Sequence, residues 1–368
     1  AGWRVRVEAV ERPERPLLGG ARDVRVDYIE EEGTLDRLTA MAGMAARHPL
    51  RCLRDLAERG RFEPGDRMPL RALAPAALRL GAGAERHVHV HFAALAAANA
   101  LRAGRLAGVP VSITPHAQEV YLEPVSLPEK IARAAFTTTV CEYNVELLRS
   151  LVPEQAEKIH NIPIGVRPRS RSRDVSYPGG RTVAAVGRLI EQKGFVHLID
   201  AIALLERDEP VDRLLIAGDG PLRGALEARI AERGVRGRVA LLGSMEPGPI
   251  GDLLQRADVF AVPSVIAADG NRDAVPVVLY EAMAAAVPVV ASDEVGLPES
   301  VRPDWGRLVP PGDPERLAAA IAEILSLPAA IRAEMGEAGA AFIAAERDLT
   351  KQTARLIDLV EGYSIGTR

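Results

Sequence analysis

Asp273 and Glu281 stand eight residues apart in DAVPVVLYE, at the edge of a stretch that continues as AMAAAVPVV. The run VVLYEAMAAAV is apolar on all sides, which predicts a helix buried on every face. A carboxylate in such a helix costs several kcal/mol unless a cation pairs with it or a polar ligand lies against it. A second polar stretch, GRLIEQKG, carries Arg188 and Lys193 five apart, with Gly187 letting the chain turn sharply out of the strand-like run RTVAAV. Two cations beside a helix start suit a diphosphate; a solvated turn is the alternative. In RDAVPVV the amides of Ala274, Val275 and Val277 surround a helix start, Pro276 having none. They can take a phosphate and leave Asp273 to accept from hydroxyls. Helix capping by Asp273 and a structural ion pair at Glu281 are the plain readings of the two acids.

Those loops need a scaffold. Short β-branched runs alternate with helical stretches: WRVRVEAV, DVRVDYI, HVHVHF, VPVSIT, FTTTV and KIHNIPI in the front half, then RTVAAV, RLLIAG, VALLG, VFAVPS, PVVAS and GRLVP. Strand and helix in series predict parallel sheets covered on both faces. IGVRPRSRSRDVSYPGG, residues 164–180, has no periodicity and reads as a linker between two doubly wound α/β domains with a central cleft. The front domain is then 1–163, the back domain 181–348, and 349–368 a final helix. In such sheets ligands sit beyond the carboxyl ends of the strands, where GRLIEQKG and the Asp273 segment both fall.

A length of 368 residues suits two domains. No charge-free apolar run is long enough to span a membrane. AGWRVRVEAV lacks a signal pattern and only Cys52 and Cys141 are present, so the expectation is a cytoplasmic protein without a disulfide framework. The net charge of −4 conceals an asymmetry: residues 1–177 hold 26 Lys+Arg against 22 Asp+Glu (+4), which leaves 20 against 28 (−8) for the remainder. The front half is most basic over residues 47–86. Peripheral contact with an anionic membrane surface is one reading of that stretch, and a solvated arginine-rich face the other. An aromatic content of 4% argues against nucleic acid.

Taken together, GRLIEQKG, LLIAGDGP, DGNRDAVPVVLYEAMAAAVPVVAS and VGLPESV closely resemble the donor domain of family 4 glycosyltransferases, which have the GT-B fold. HVHVHFAALAAANALRAGRLAGVPVSITPHAQEVY, FTTTVCEYN and KIHNIPIGV resemble the bacterial exopolysaccharide and lipopolysaccharide branch of that family. The resemblance covers nearly all of the chain. It implies a nucleotide-sugar donor such as a UDP- or GDP-sugar, a glycan or lipid-linked acceptor, and transfer with retention of configuration. By the same resemblance Asp273 holds hydroxyls of the donor sugar, Glu281 the ribose, and Arg188 and Lys193 the diphosphate. His116 in TPHAQE lies close to the sugar, Glu299 in GLPES lies near the nucleotide, and the C-terminal helix crosses back to the front domain. No Asp-x-Asp pair is present, so no metal and no cofactor is expected.

The family's front domain usually starts with a strand, a glycine loop and a helix ahead of the segment that AGWRVRVEAV resembles, so the expectation is a front sheet short of one βα unit. Asp273 stands where Glu is common, and Ala286 where Gly is usual. Two other functions fit parts of the pattern. One is a nucleotide-sugar-binding protein with little catalysis. The other is a metal-binding protein using His87, His89 and His91, which alternate along one strand face.

Overall fold

The computed structural model describes residues 5–11, 26–83, 85–122, 124–167, 181–205 and 211–364. Its contacts divide the chain into two units: residues 1–139, 147–160 and 357–368 in the first, and 140–146 with 161–356 in the second. Most of the expected linker, residues 168–180, lies outside the described residues.

In the first unit all six strand-like runs of the front half form strands: β1 (Val7–Ala9), β2 (Val26–Tyr28), β3 (Val88–His91), β4 (Val111–Thr114), β5 (Thr137–Thr139) and β6 (Ile159–Asn161). They make two sheets among the described residues, a parallel pair β1-β2 and a four-stranded sheet in the order β3-β4-β5-β6. This differs from the single front sheet expected. Among the described residues no ladder joins the small sheet to the larger one, and side-chain charge ties it to its surroundings. Arg79 binds Glu8 through two bonds of 3.1 and 2.9 Å and also pairs with Glu32, while Arg6 reaches Glu85 at 3.2 Å.

Four helices, α1 (Thr34–Arg47), α2 (Pro49–Glu58), α3 (Leu70–Ala82) and α4 (Leu95–Ala107), close a core of Met44, Cys52, Ala77, Ala103 and Leu106. α5 (Leu127–Arg133) and α6 (Glu142–Leu151) follow. Two charges are buried here with dedicated partners. Arg102 grips Asp55 at 2.8 and 2.9 Å and donates to the Met68 carbonyl at 2.6 Å. Lys130, fully buried, meets Asp66 at 2.6 Å and the Val125 carbonyl at 2.9 Å.

The second unit contains β7 (Thr182–Val186), α7 (Phe195–Leu204), β8 (Arg213–Ala217), α8 (Arg223–Glu232), β9 (Val239–Gly243), α9 (Pro247–Arg256), β10 (Val259–Val262), α10 (Val277–Ala284), β11 (Val289–Ser292), β12 (Gly306–Val309), α11 (Pro314–Ser326) and α12 (Ala329–Glu346). Its strands form one sheet in the order β12-β11-β10-β7-β8-β9, with every strand pairing among the described residues parallel. From β7 the chain winds outward through β8 and β9, then returns to the other side of β7 with β10. The order therefore reverses between β7 and β10, the place where doubly wound sheets bind ligands. Val183, Leu214, Ile216, Val259 and Val290 are completely buried beneath Leu198, Ile202 and Ile321. Burial on both faces explains why these strands read as unbroken apolar runs.

The division by contacts falls at other residues than 163 and 349. Residues 140–146 join the second unit, where Glu142 bonds Asn161 and Glu299. The last helix, α13 (Leu349–Tyr363), changes unit after Leu356.

Removing one member of a buried ion pair leaves the other charge uncompensated. Asp55→Ala is expected to lower the unfolding free energy by about 3–5 kcal/mol, measured by denaturant titration. Asp55→Asn, which keeps an acceptor for Arg102, is expected to cost less.

Candidate functional site

The loops that leave β7 and β10 meet at the switch point of the second sheet. Gly194 has a φ of +64°, and a Cβ there would fall 1.8 Å from the Pro263 carbonyl oxygen. Only glycine allows that approach. The amide of Val265 donates to the Gln192 carbonyl at 3.0 Å, and that of Ala268 to the Glu191 carboxylate at 2.9 Å. Gly187 has a related role: its missing side chain leaves room for the Lys193 stem, whose Cδ would sit 3.2 Å from an added Cβ. Glu191 lies inside GRLIEQKG, yet the sequence reading assigned it nothing. An acid between two loop cations was the available signal.

This arrangement brings Lys193 to Asp273. Their Nζ and Oδ2 atoms are 2.6 Å apart, and both side chains remain partly exposed. Arg188 is exposed, and among the described residues its guanidinium has no hydrogen-bond or ion-pair partner. The amides of Ala274, Val275 and Val277 likewise donate to no other described residue, and α10 begins at Val277 without a side-chain cap. A free cation, a paired cation and three free amides thus stand around one sheet edge. That set can hold a phosphate-bearing ligand, with an acid available for hydroxyls. A cavity of about 460 Å³ adjoins it, lined by Ile190 and Glu191 of the same loop and by Phe195, His197 and Leu222. Arg188, Lys193 and Asp273 do not line that cavity.

One expectation is corrected. Helix α10 is not buried all round: Val277 is 46% exposed, and Val278, Glu281 and Ala284 continue an open stripe at helical spacing. Glu281 is therefore half-buried on that stripe, and among the described residues its carboxylate has no hydrogen bond or ion pair. Glu299, expected near a nucleotide, accepts the amides of Glu142 and Tyr143 at 2.9 and 3.0 Å, so both oxygens cap the first turn of α6. A first-turn amide pair is a strong attractor for a carboxylate.

In the first unit His116 follows β4 and precedes a π turn, Gln118–Leu122. Its amide donates to Glu119 at 2.8 Å, and its Nε2 lies 3.3 Å from Nδ1 of His91. Just before β3 and early in it, His87 and His89 share the Ser112 hydroxyl at 2.8 and 2.7 Å, and His89 also bonds Thr114 at 3.0 Å. The rings are turned to hydroxyls, and among the described residues no group of three metal-ligating side chains converges. Burial pushes all four imidazoles down, to about 4 for His87 and about 3 for His89. At His89 repulsion from His91, His87 and His116 adds to burial.

The second unit is thus a doubly wound α/β domain whose switch point gathers two cations and free amides, and the solved structures that resemble the chain have the GT-B fold. The chain belongs to the glycosyl transferases group 1 family, which matches residues 166–342. Over 275 residues it is 30% identical to the 2-deoxystreptamine glucosyltransferase of Streptomyces kanamyceticus, covering 66% of this chain and 68% of that one. It is 36% identical over 168 residues to the amylovoran biosynthesis glycosyltransferase AmsK of Erwinia amylovora, covering 45% of this chain and 41% of the relative. The match to AmsK thus spans less than half of that relative's length. The Anabaena HepE structure, solved with UDP-glucose, superposes with a TM-score of 0.68 at 19% identity, covering 97% of this chain and 99% of that one.

The depressed imidazoles define a pH dependence. In the unfolded chain a histidine titrates near 6.5, so between pH 6.5 and about 4 for His87, or about 3 for His89, the unfolded state binds protons that the folded state refuses. Their support for folding is complete above pH 6.5 and declines as the pH falls through that window. The melting temperature is expected to drop between pH 7.5 and 4.5 more steeply than in a His87→Gln/His89→Gln variant, as followed by scanning fluorimetry.

Proposed function

We propose that the chain is a cytoplasmic, metal-independent, retaining glycosyltransferase that moves a sugar from a nucleotide-diphosphate sugar to a glycan or lipid-linked acceptor. The observation that carries this reading is the grouping of unpaired Arg188, the Lys193–Asp273 pair and the free amides of Ala274, Val275 and Val277 at the switch point. The names of the relatives, a 2-deoxystreptamine glucosyltransferase and a glycosyltransferase of amylovoran biosynthesis, agree with it.

In this reading the diphosphate lies on Arg188, Lys193 and the amides, and Asp273 turns from Lys193 to the sugar hydroxyls. The open stripe of α10 offers Glu281 to the ribose. An acceptor hydroxyl attacks the anomeric carbon as the bond to the β-phosphate oxygen breaks. The bonding pair and the acceptor's proton both pass to the departing diphosphate, which lies on the attacked face. Fixed cations and amides stabilise the charge that develops there without reorganisation. His116 contacts the sugar and moves no proton.

Peripheral attachment to an anionic membrane face is part of the proposal. Among the described residues no helix is long and apolar enough to cross a membrane. On α2, however, Leu50, Leu53 and Leu56 are 69, 61 and 45% exposed, and Arg47, Arg51 and Arg54 lie within the same stretch. Apolar insertion beside basic residues is the composition of an interfacial helix.

Thermal unfolding with EDTA present tests the donor site. A nucleotide-sugar donor at a hundredfold its dissociation constant stabilises the fold by about 2.7 kcal/mol, and the rise is expected to vanish in Arg188→Ala/Lys193→Ala. A rise without glycoside formation in the presence of acceptor would identify a binding protein, and no rise with any nucleotide would refute the donor site. For the membrane, cosedimentation with phosphatidylglycerol vesicles is expected to exceed that with phosphatidylcholine and to fall in Leu50→Ser/Leu53→Ser.

A further inference from the structure

Phe92 is the residue that neither the donor site nor the core accounts for. It follows directly on β3, at the carboxyl end of the first unit's four-stranded sheet, with a φ of +69°. A bulky side chain in the left-handed region is an outlier that persists only where its surroundings enforce it, and such residues gather at ligand sites. Here the enforcement is a hydrogen bond of 3.0 Å from the Phe92 amide to the Thr114 carbonyl, followed by Ala93, which is buried. The strained backbone does not serve packing, because the phenyl ring is 56% exposed.

The ring lies over His116, their centroids 4.4 Å apart and their planes inclined by 38°. His116 in turn stacks on His91 at 5.5 Å and 30°. Three rings thus make one shallow platform at a strand end. Desolvation keeps both imidazoles low, so near neutral pH each offers one ring donor and one acceptor. Glu119, buried beneath, holds the loop through the His116 amide.

We propose that Phe92, His91 and His116 form a subsite for a pyranose ring of the acceptor glycan. A pyranose has an apolar face of C–H groups and a rim of hydroxyls. The phenyl face matches the first, and neutral imidazoles that donate and accept match the second. An acyl chain would need apolar walls, and a phosphate would need cations. The platform has histidines in place of both. The assignment rests on the glycosyltransferase reading, since that makes a saccharide the second substrate, but it involves no residue of the donor site other than His116.

The test uses the full chain labelled with 4-fluorophenylalanine. The fluorine resonance absent from Phe92→Leu identifies Phe92, and it is titrated with methyl α-pyranosides of gluco, galacto and manno configuration, and separately with UDP and GDP. Expected is a saturable shift with at least one pyranoside and none with the nucleotides. A pyranoside that leaves the resonance unmoved while a nucleotide still raises the melting temperature overturns the subsite and leaves the donor reading intact. A shift by pyranosides without stabilisation by any nucleotide sinks the donor reading alone, and a shift by nucleotides alone reassigns the ring to the donor and overturns the proposal. Phe92→Gly separates binding from structure, since glycine adopts φ +69° without strain. It is expected to keep or raise the melting temperature while saccharide affinity, read from saturation-transfer spectra, falls at least tenfold, and Phe92→Tyr is expected to restore that affinity. A drop in melting temperature in Phe92→Gly with saccharide affinity unchanged would make Phe92 structural.

Discussion

The candidate donor site depends on two main-chain segments coming closer than any side chain would permit. The Gly194 α-carbon lies against the Pro263 carbonyl, and a similar contact joins Gly218 to Gly187, where an added Cβ would fall 1.8 Å from the carbonyl oxygen. Through the first contact the loop after β7 leans on the loop after β10. Through the second, the ends of β7 and β8 stay aligned although β8 and β9 slip register at Ala217. Lys193 can then reach Asp273, a residue 80 positions away, with its stem threading the gap at Gly187. Placed on a largely buried sheet, the loops need little bracing beyond the Val265–Gln192 main-chain bond and the Glu191 carboxylate on the Ala268 amide.

How much of this was legible depended on whether the signal was local. All twelve strand-like runs became strands: most of those in the second unit are apolar with little interruption because both faces are covered, those of β1 to β3 carry β-branched residues between polar ones, and glycine, proline and aspartate close many of them off. GRLIEQKG and RDAVPVV could be assigned to one edge because a doubly wound sheet gathers its β-to-α loops at one end. Pairings across the fold were hidden. Nothing near Lys193 in the chain announces Asp273, and nothing near Glu299 announces the amides of Glu142 and Tyr143. The openness of α10 was hidden too: VVLYEAMAAAV is apolar at every position but one, and only the packing shows that Val277, Val278, Glu281 and Ala284 face outward. The parting of the front strands into two sheets has the same origin, because strand-like composition does not specify which strand is a neighbour.

The core of the first unit and the switch-point loops of the second handle charge in opposite ways. In the first, Arg102 and Lys130 are withdrawn from water, each with a carboxylate and a main-chain carbonyl, so their positions are determined by the core around them. Such pairs add little net stability yet punish any change in geometry. At the start of β3 the first unit instead buries neutral imidazoles, His87 and His89, each bonded to the Ser112 hydroxyl, which avoids buried charge. In the second unit the charged groups of the switch-point loops stay at the surface, where their partners can change.

That difference bears on how a ligand would arrive and leave. While Lys193 is held by Asp273, its field is largely cancelled beyond a few ångströms, and Arg188 is the cation of this loop that an approaching dianion senses. Capture would then be steered by one exposed guanidinium and would weaken as salt shortens the reach of its charge, about 8 Å at physiological ionic strength. Lys193 would act later, after contact, by exchanging one anionic partner for another. A donor carrying its sugar supplies hydroxyls to the aspartate that loses its lysine, whereas a spent diphosphate supplies none. The resting ion pair would therefore compete harder against the product than against the substrate, a return spring that clears the site after each transfer.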